Sequence, residues 1–376
     1  MGRRKKRQSI RYEDLALVAT HHQHLLDLMP EVKGMLRSAE YASELKDDLQ
    51  ILASKEKEYF SYYRKAGGEI VTEFSELLQA NGEFKIARTI IGGSIGKNTA
   101  LGIEATPDFD VVFFINDVSP PFTDIVKTFR KILLTQPHRF LNIEKTTFSV
   151  QFLVEAALPL PTGLKHVRIQ FDVLPAANYT QHPVFYVEKQ KKRASQYIAR
   201  TSKPKKNWYL FSASLTEANV NWVKNQSEFI HHLIILAKMW DHQLKKLMNE
   251  KKANSSKCSG RSAIIELIAT QAGHDTESGK NILIGFRRFL NLMRGFDNLH
   301  IDFIPSHEGT FDNEKGPLVR DEVNPYNNYA AAVNPHNISQ FMSWASLTRN
   351  YINRLARSDS SQNYESNFQK LKTTFF

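Results

Sequence analysis

The sequence predicts an α+β fold: a lobe with a twisted mixed β-sheet flanked by helices, followed by an all-helical C-terminal lobe. Two observations carry this. Between Phe84 and Val173 apolar residues alternate in four separate runs, the period of a half-buried strand. After about residue 185 alternation stops and apolar residues recur every three or four positions, the period of a helix.

Taken in order, residues 1–11 form a basic tail (Arg3-Arg-Lys-Lys-Arg7, then Arg11), a solvated end or an arm for nuclear import or RNA. Helical spacing runs from Tyr12 to Met29 and breaks at Pro30. A second helix is predicted from Ser38 to Ala80, split or kinked at Gly67-Gly68. Strands are predicted at Phe84–Ile91, Phe109–Ile115, Thr147–Val154 and Val167–Val173, with a helix at Phe122–Leu134. Helices follow at Thr216–Asn225, Ser227–Glu250, Ser262–Ala272, Asn281–Arg294 and Ile338–Arg354, with Ser214 and Glu217 spaced as a capping box. The expected division is a tail and first helix over 1–36, the sheet lobe with its long helix over 37–210, the helical lobe over 211–358 and a tail over 359–376.

Composition narrows the functions. The 376 residues carry 50 Lys and Arg against 39 Asp and Glu, a net charge of +11 that favours an anionic partner. One cysteine, Cys258, excludes a disulfide framework and every cysteine-rich zinc site. Apolar runs reach about five residues, against the roughly 20 needed to span a bilayer. With no signal peptide visible, the expected location is the cytoplasm, with the nucleus as the alternative.

The chemistry concentrates in Gly92-Gly-Ser-Ile-Gly-Lys-Asn-Thr-Ala-Leu101 and Asp108-Phe-Asp110-Val-Val-Phe-Phe-Ile115. Residues i and i+2 of a strand share a face, so Asp108 and Asp110 lie side by side. Adjacent carboxylates repel unless cations lie between them, and Mg²⁺ takes such oxygen ligands. In Val167-Arg-Ile-Gln-Phe-Asp-Val173 the alternation puts Asp172 on the polar face, where it joins the pair if the strands are neighbours. Three aspartates can hold two Mg²⁺ ions about 4 Å apart, the arrangement for in-line phosphoryl transfer; Mn²⁺ is an acceptable substitute. Gly93 lets backbone N–H groups approach a phosphate, and the Ser94 hydroxyl adds a hydrogen bond. This is not a Walker A loop, because Asn98 stands where Ser or Thr should bind Mg²⁺.

That order of elements resembles the polymerase-beta-like nucleotidyltransferases. Gly93-Ser-Ile-Gly-Lys-Asn-Thr-Ala-Leu101 resembles the Gly-Ser-x-Gly-Lys-Gly-Thr-x-Leu loop of 2′-5′-oligoadenylate synthetases, and Phe171-Asp-Val-Leu-Pro-Ala176 their third-aspartate strand. Val319-Arg-Asp-Glu-Val-Asn-Pro-Tyr-Asn-Asn328 is similar to their late Asp-Pro-rich segment in degenerate form. The resemblance implies an enzyme that makes 2′-5′-linked nucleotides from ATP, activated by double-stranded RNA, in innate antiviral sensing. Asp108, Asp110 and Asp172 would be metal ligands, and Asp172 would draw the proton from the attacking hydroxyl. Gly93 and Ser94 would hold the triphosphate. Lys238 falls on the family's phosphate-binding lysine, although a lysine amid Leu233, Ile234, Ala237 and Trp240 can equally snorkel from a buried helix. Lys97 and Lys224 fall on basic RNA contacts.

Departures from the pattern touch base selection and RNA docking. Val220, Glu228 and Ile91 stand where the family has Arg, Thr and Lys. Ile235 replaces an arginine that helps hold the donor nucleotide, Ser262 and Ala263 replace a Gln-Tyr pair at the donor base, and Asn98 replaces a loop glycine. Cyclic GMP-AMP synthase-like receptors, which join nucleotides into cyclic dinucleotides on the same scaffold, are therefore an alternative. So, in another class, is a catalytically silent RNA-binding scaffold. From Tyr186 to Leu210 eight basic residues stand against one acid, with aromatic residues between them. Lys191, Lys192, Arg193, Lys205 and Lys206 are the candidate RNA contacts there, against the plainer reading of a solvated basic loop. His21, His22, His24, His231 and His232 lack carboxylate or Cys partners in metal spacing and read as structural or helix-surface residues.

Overall fold

The computed structural model describes residues 39–82, 84–103, 106–160, 163–180, 187–201, 207–250, 261–303, 316–324, 326–355 and 361–376. The basic tail, the helix expected over 12–29, Cys258, Lys205 and Lys206 lie outside them.

Helix α1 (Ala39–Asn81) runs through both predicted halves without a break. The expected split at Gly67-Gly68 is absent, and Gly67 serves packing: a Cβ there would come within 1.9 Å of the Phe109 ring. Next come β1 (Ile86–Ile91), the one-turn helix α2 (Gly93–Gly96), β2 (Phe109–Ile115), α3 (Thr123–Leu133), β3 (Leu141–Lys145), β4 (Val150–Leu160) and β5 (Gly163–Ala177). β3 was not anticipated, since its five residues carry only two partly buried apolar side chains.

The sheet order is β1-β2-β5-β4-β3. β2 and β5 are parallel, and the remaining neighbours are antiparallel. One face packs on α1 and α3. There Phe74 stands edge-on to Phe113, Phe129, Phe140 and Phe152, while Phe109, Phe171 and Phe152 stack across three strands. Each fully buried ring contributes about 1.5–3 kcal/mol, so this face fixes strand register firmly. The opposite face of β2 therefore presents Asp110, Val112 and Phe114, with Asp108 just before the strand.

Helix α4 (Val187–Ala199) takes up part of the segment read as a basic loop. Helices α5 (Ser212–Lys224), α6 (Glu228–Glu250), α7 (Arg261–Thr276), α8 (Ile282–Arg294), α9 (Pro335–Leu355) and α10 (Ser361–Phe375) follow. Two short strands, β6 (His300–Ile301) and β7 (Leu318–Val319), pair in parallel where none was expected. The predicted capping box is not one: Ser214 lies inside α5 and its hydroxyl receives the Ala177 N–H, while Glu217 pairs with Arg88. The expected C-terminal tail is instead α10, which buries Tyr364, Leu371 and Phe375 in the helical core, with Phe376 behind it. The first turns of α1 also enter that core through Leu45, Leu49 and Ala53, so one helix braces both lobes. His231 and His232 are buried there: the His231 ring bonds the Val223 carbonyl, and His232 meets the Gln50 side chain.

Candidate active site

The site begins with strand register. β2 and β5 run parallel with Asp110 directly opposite Asp172, so both side chains rise from the same face, and Asp108, just before β2, is near enough to interact with both. Asp172 is held from the other side: Gln151 of β4 donates from Nε2 to its Oδ2 at 3.2 Å. Its second oxygen, Oδ1, is buried without a hydrogen-bond partner.

The carboxylates feel one another. Burial, then Asp172 and Asp108, push Asp110 up to about 7, with Lys97 opposing. Partial burial and then Asp172 also raise Asp108, which stands exposed at the rim. Among the described residues no three His, Cys, Asp or Glu side chains are drawn into a ready metal cluster, so the carboxylates share a face without converging on one point. The donor chemistry nonetheless fits divalent cations. Three carboxylates face one side, one buried oxygen is unsatisfied, and their mutual repulsion is the kind that a cation relieves.

The turn before α2 closes over this face. Gly92 donates its N–H to the Asp110 carbonyl at 2.7 Å. Gly93 adopts a left-handed φ of +53°, and a Cβ on it would come within 1.7 Å of Asp110 Oδ2. Only glycine permits that approach. The half-buried Ser94 follows in the first turn of α2. Asn98 also adopts a left-handed φ, of +61°, which asparagine tolerates, and its side-chain oxygen receives Arg64 at 2.8 Å. Beyond Gly93 and Asp110 a cleft of about 270 Å³ runs under α5 to the 321–329 segment.

No protein-family model matches the chain. By sequence it resembles 2′-5′-oligoadenylate synthase 2 of Mus musculus, 25% identical over 238 residues, which are 59% of this chain and 30% of that protein. The rat protein of the same name is 22% identical over 308 residues, 75% of this chain and 40% of that protein. The chain thus spans well under half the length of these curated relatives. By fold it superposes on CdnC of E. coli MS115-1 solved with ATP, with a TM-score of 0.51 and 17% identity over 90% of this chain and 99% of that one. The Cid1 poly(U) polymerase, with Mg and 3′-dATP bound, superposes at 0.52 with 10% identity over 86% and 98%. The chain thus has the fold of these two solved structures, and its sequence resembles the oligoadenylate synthases.

Several residues suggested by that likeness sit elsewhere than expected. Lys97 is no surface RNA contact. It is buried, 2.6 Å from Glu266 Oε1. Lys238 is likewise engaged, donating to Glu266 Oε2 at 2.9 Å and Thr99 Oγ1 at 2.7 Å, so its ammonium is not presented to a phosphate. Burial and the nearby Lys97 lower Lys238 against the pull of Glu266. Burial would lower Lys97 as well, but Glu266, Glu322 and Asp321 outweigh it and hold Lys97 above the ordinary lysine value. Burial opposes the charge on Glu266, yet the two lysines bring that carboxyl down to about 2. Sequence reading missed Glu266, although a lone acid amid Ile264, Ile265, Leu267 and Ile268 is a signal for a buried ion pair.

Ser262 is exposed on the first turn of α7 and is not part of the cleft lining. Ile235 is fully buried in the helical core. Lys224, at the end of α5, is lowered by burial and by Arg64 nearby. On α4, Lys192 and Arg193 are exposed and Lys191 is half-buried, while the Arg193 guanidinium also donates to the Tyr179 carbonyl.

Proposed function

We propose that the chain is a divalent-metal-dependent nucleotidyltransferase that uses ATP, with GTP as a second substrate, and releases pyrophosphate. Asp108, Asp110 and Asp172 would hold two Mg²⁺ ions, which when bound neutralise the phosphates and make a nucleotide hydroxyl a competent nucleophile. Asp172 takes the proton of that hydroxyl. The backbone around Gly93 and the Ser94 hydroxyl orient the triphosphate of the donor. The observation that carries this reading is the pairing of Asp110 with Asp172 across parallel strands while Gly93 packs against Asp110 Oδ2.

The sequence likeness supports a 2′-linked oligoadenylate as the product and double-stranded RNA as the activator. Phosphate contacts would come from Lys192 and Arg193 on α4, with Lys191, Lys205 and Lys206, and from Lys224. Lys97 and Lys238 are assigned instead to joining the loop after α2 to the helical lobe. The cytoplasm remains the proposed location, with the nucleus as the alternative, and no helix among the described residues is long and apolar enough to cross a membrane.

A cyclic dinucleotide is the second reading. It is favoured by the donor-holding position being the core residue Ile235, so the donor must be gripped differently here. Mass spectrometry of products formed from all four nucleoside triphosphates with Mg²⁺, with and without duplex RNA, separates the readings. Linear oligoadenylate that appears only with RNA supports the first. Cyclic products support the second, label incorporated into RNA indicates tailing, and RNA binding with no product indicates a silent scaffold.

A further inference from the structure

The cleft continues past Asp110, and its inner lining has a different chemistry. Trp208 and Leu174 supply flat and apolar surface, Asn219 projects from α5, and Asp321 and Asn324 come from the loop after β7. Asp321 is spent on the protein: Oδ1 accepts the Val323 and Asn324 N–H groups, each at 2.9 Å, and Oδ2 accepts Asn327 Nδ2 at 3.0 Å. Asn324 is not. Its amide oxygen accepts the Tyr326 N–H at 3.1 Å, but its Nδ2 has no partner although the residue is only 2% exposed. Leaving a buried donor unpaired is costly, so such a group marks a place for an acceptor. Asn219 gives its own Nδ2 to Glu322, which leaves its carbonyl oxygen for a donor.

An anion is a poor occupant, because Asp110 and Asp321 line the cleft and Lys97, which also lines it, is already paired with Glu266. A flat, neutral ring with a donor and an acceptor on one edge fits, since aromatic stacking and paired amide contacts are how side chains read bases. We propose that the inner cleft reads the base of the bound nucleotide, with Asn324 Nδ2 donating to an acceptor on its edge, Asn219 Oδ1 accepting from it, and Trp208 stacking on the ring. This rests on the nucleotidyltransferase reading and makes Asn324, Asn219 and Trp208 specificity residues rather than catalytic ones.

The test compares ligands with and without a base. Affinities of wild type, Asn324→Asp and Trp208→Leu are measured with Mg²⁺ for α,β-methylene analogues of the four nucleoside triphosphates and for ribose 5′-triphosphate. Asn324→Asp keeps the oxygen that accepts Tyr326 N–H and removes the amide donor. Because it also adds a charge that any triphosphate feels, it is expected to weaken the preferred nucleotide roughly tenfold more than ribose 5′-triphosphate. Trp208→Leu, at a half-buried position, is expected to show the same pattern and carries the test if the Asn324 variant does not fold. An equal loss for the base-free ligand overturns the proposal, because Asn324 then serves only a water, a phosphate or the fold. Wild type that binds ribose 5′-triphosphate as well as every nucleotide overturns it too. Wild type that binds no triphosphate at all removes the nucleotidyltransferase reading as well.

Discussion

At the scale of single residues, the site stores unfavourable charge that a cation would relieve. Asp110 is raised from an ordinary carboxylate value to about 7 by burial, Asp172 and Asp108. A carboxyl raised on folding binds more protons folded than unfolded. Its stabilising contribution is complete below the unfolded value and is lost as pH rises through about 7. In chelator-treated protein, Asp110→Asn is therefore expected to raise the melting temperature more at pH 8 than at pH 6. In wild type, added Mg²⁺ should stabilise more at pH 8, since ligands must be deprotonated. Thermal melts at the two pH values check both. Glu266 has the opposite sign. Held near 2 by two lysines, it stabilises above the ordinary glutamate value, and that contribution is lost as pH falls through about 2. Glu266→Gln leaves Lys97 and Lys238 buried without their anion and should cost about 3–5 kcal/mol in denaturant unfolding.

Those two sites also mark what a sequence discloses. Asp108, Asp110 and Asp172 were legible because strand alternation fixes the face of a side chain. The Lys97–Glu266 pair was not, because its partners lie 169 residues apart and only the packed structure brings α7 to the loop after α2.

At the scale of elements, adjacent glycines in α1 separate propensity from packing. Helix propensity alone makes alanine better than glycine by about 1 kcal/mol at either position. At Gly68 nothing lies within 4 Å of the added methyl, so Gly68→Ala should stabilise by roughly that amount. At Gly67 the methyl would meet the Phe109 ring at 1.9 Å, in the strand that carries Asp108 and Asp110, so Gly67→Ala should destabilise by about 1–3 kcal/mol. Paired denaturant titrations check the opposite signs. The same pair explains the missing break, since Gly-Gly reads as a breaker until the ring that fills the space is known. Ser214 misled for a similar reason: its cap spacing is real, but its hydroxyl serves the Ala177 N–H at the end of β5. The central strands were placed well because their buried faces are strictly apolar. β3 and α10 escaped, the one for its weak alternation and the other for its polar composition around a few anchoring aromatics.

At the scale of the whole molecule, the sheet supplies the carboxylates and the helical lobe supplies the far wall of the cleft. Helix α1 and the Glu266 lysine pair hold the two lobes in register. The segments proposed to touch RNA, α4 and the end of α5, are joined directly to that wall: α4 packs on α5, and α5 contributes Asn219 and Thr216 to the cleft. In the proposed reaction Asp108, Asp110 and Asp172 act together on one phosphoryl-transfer step. The most direct measurement is pyrophosphate release from ATP with Mg²⁺ and duplex RNA by wild type, Asp110→Asn and Asp172→Asn, each checked for folding by circular dichroism. Wild type is expected to release pyrophosphate, and each variant to lose at least about a thousandfold of that activity. Equal release by wild type and either folded variant would contradict that joint action.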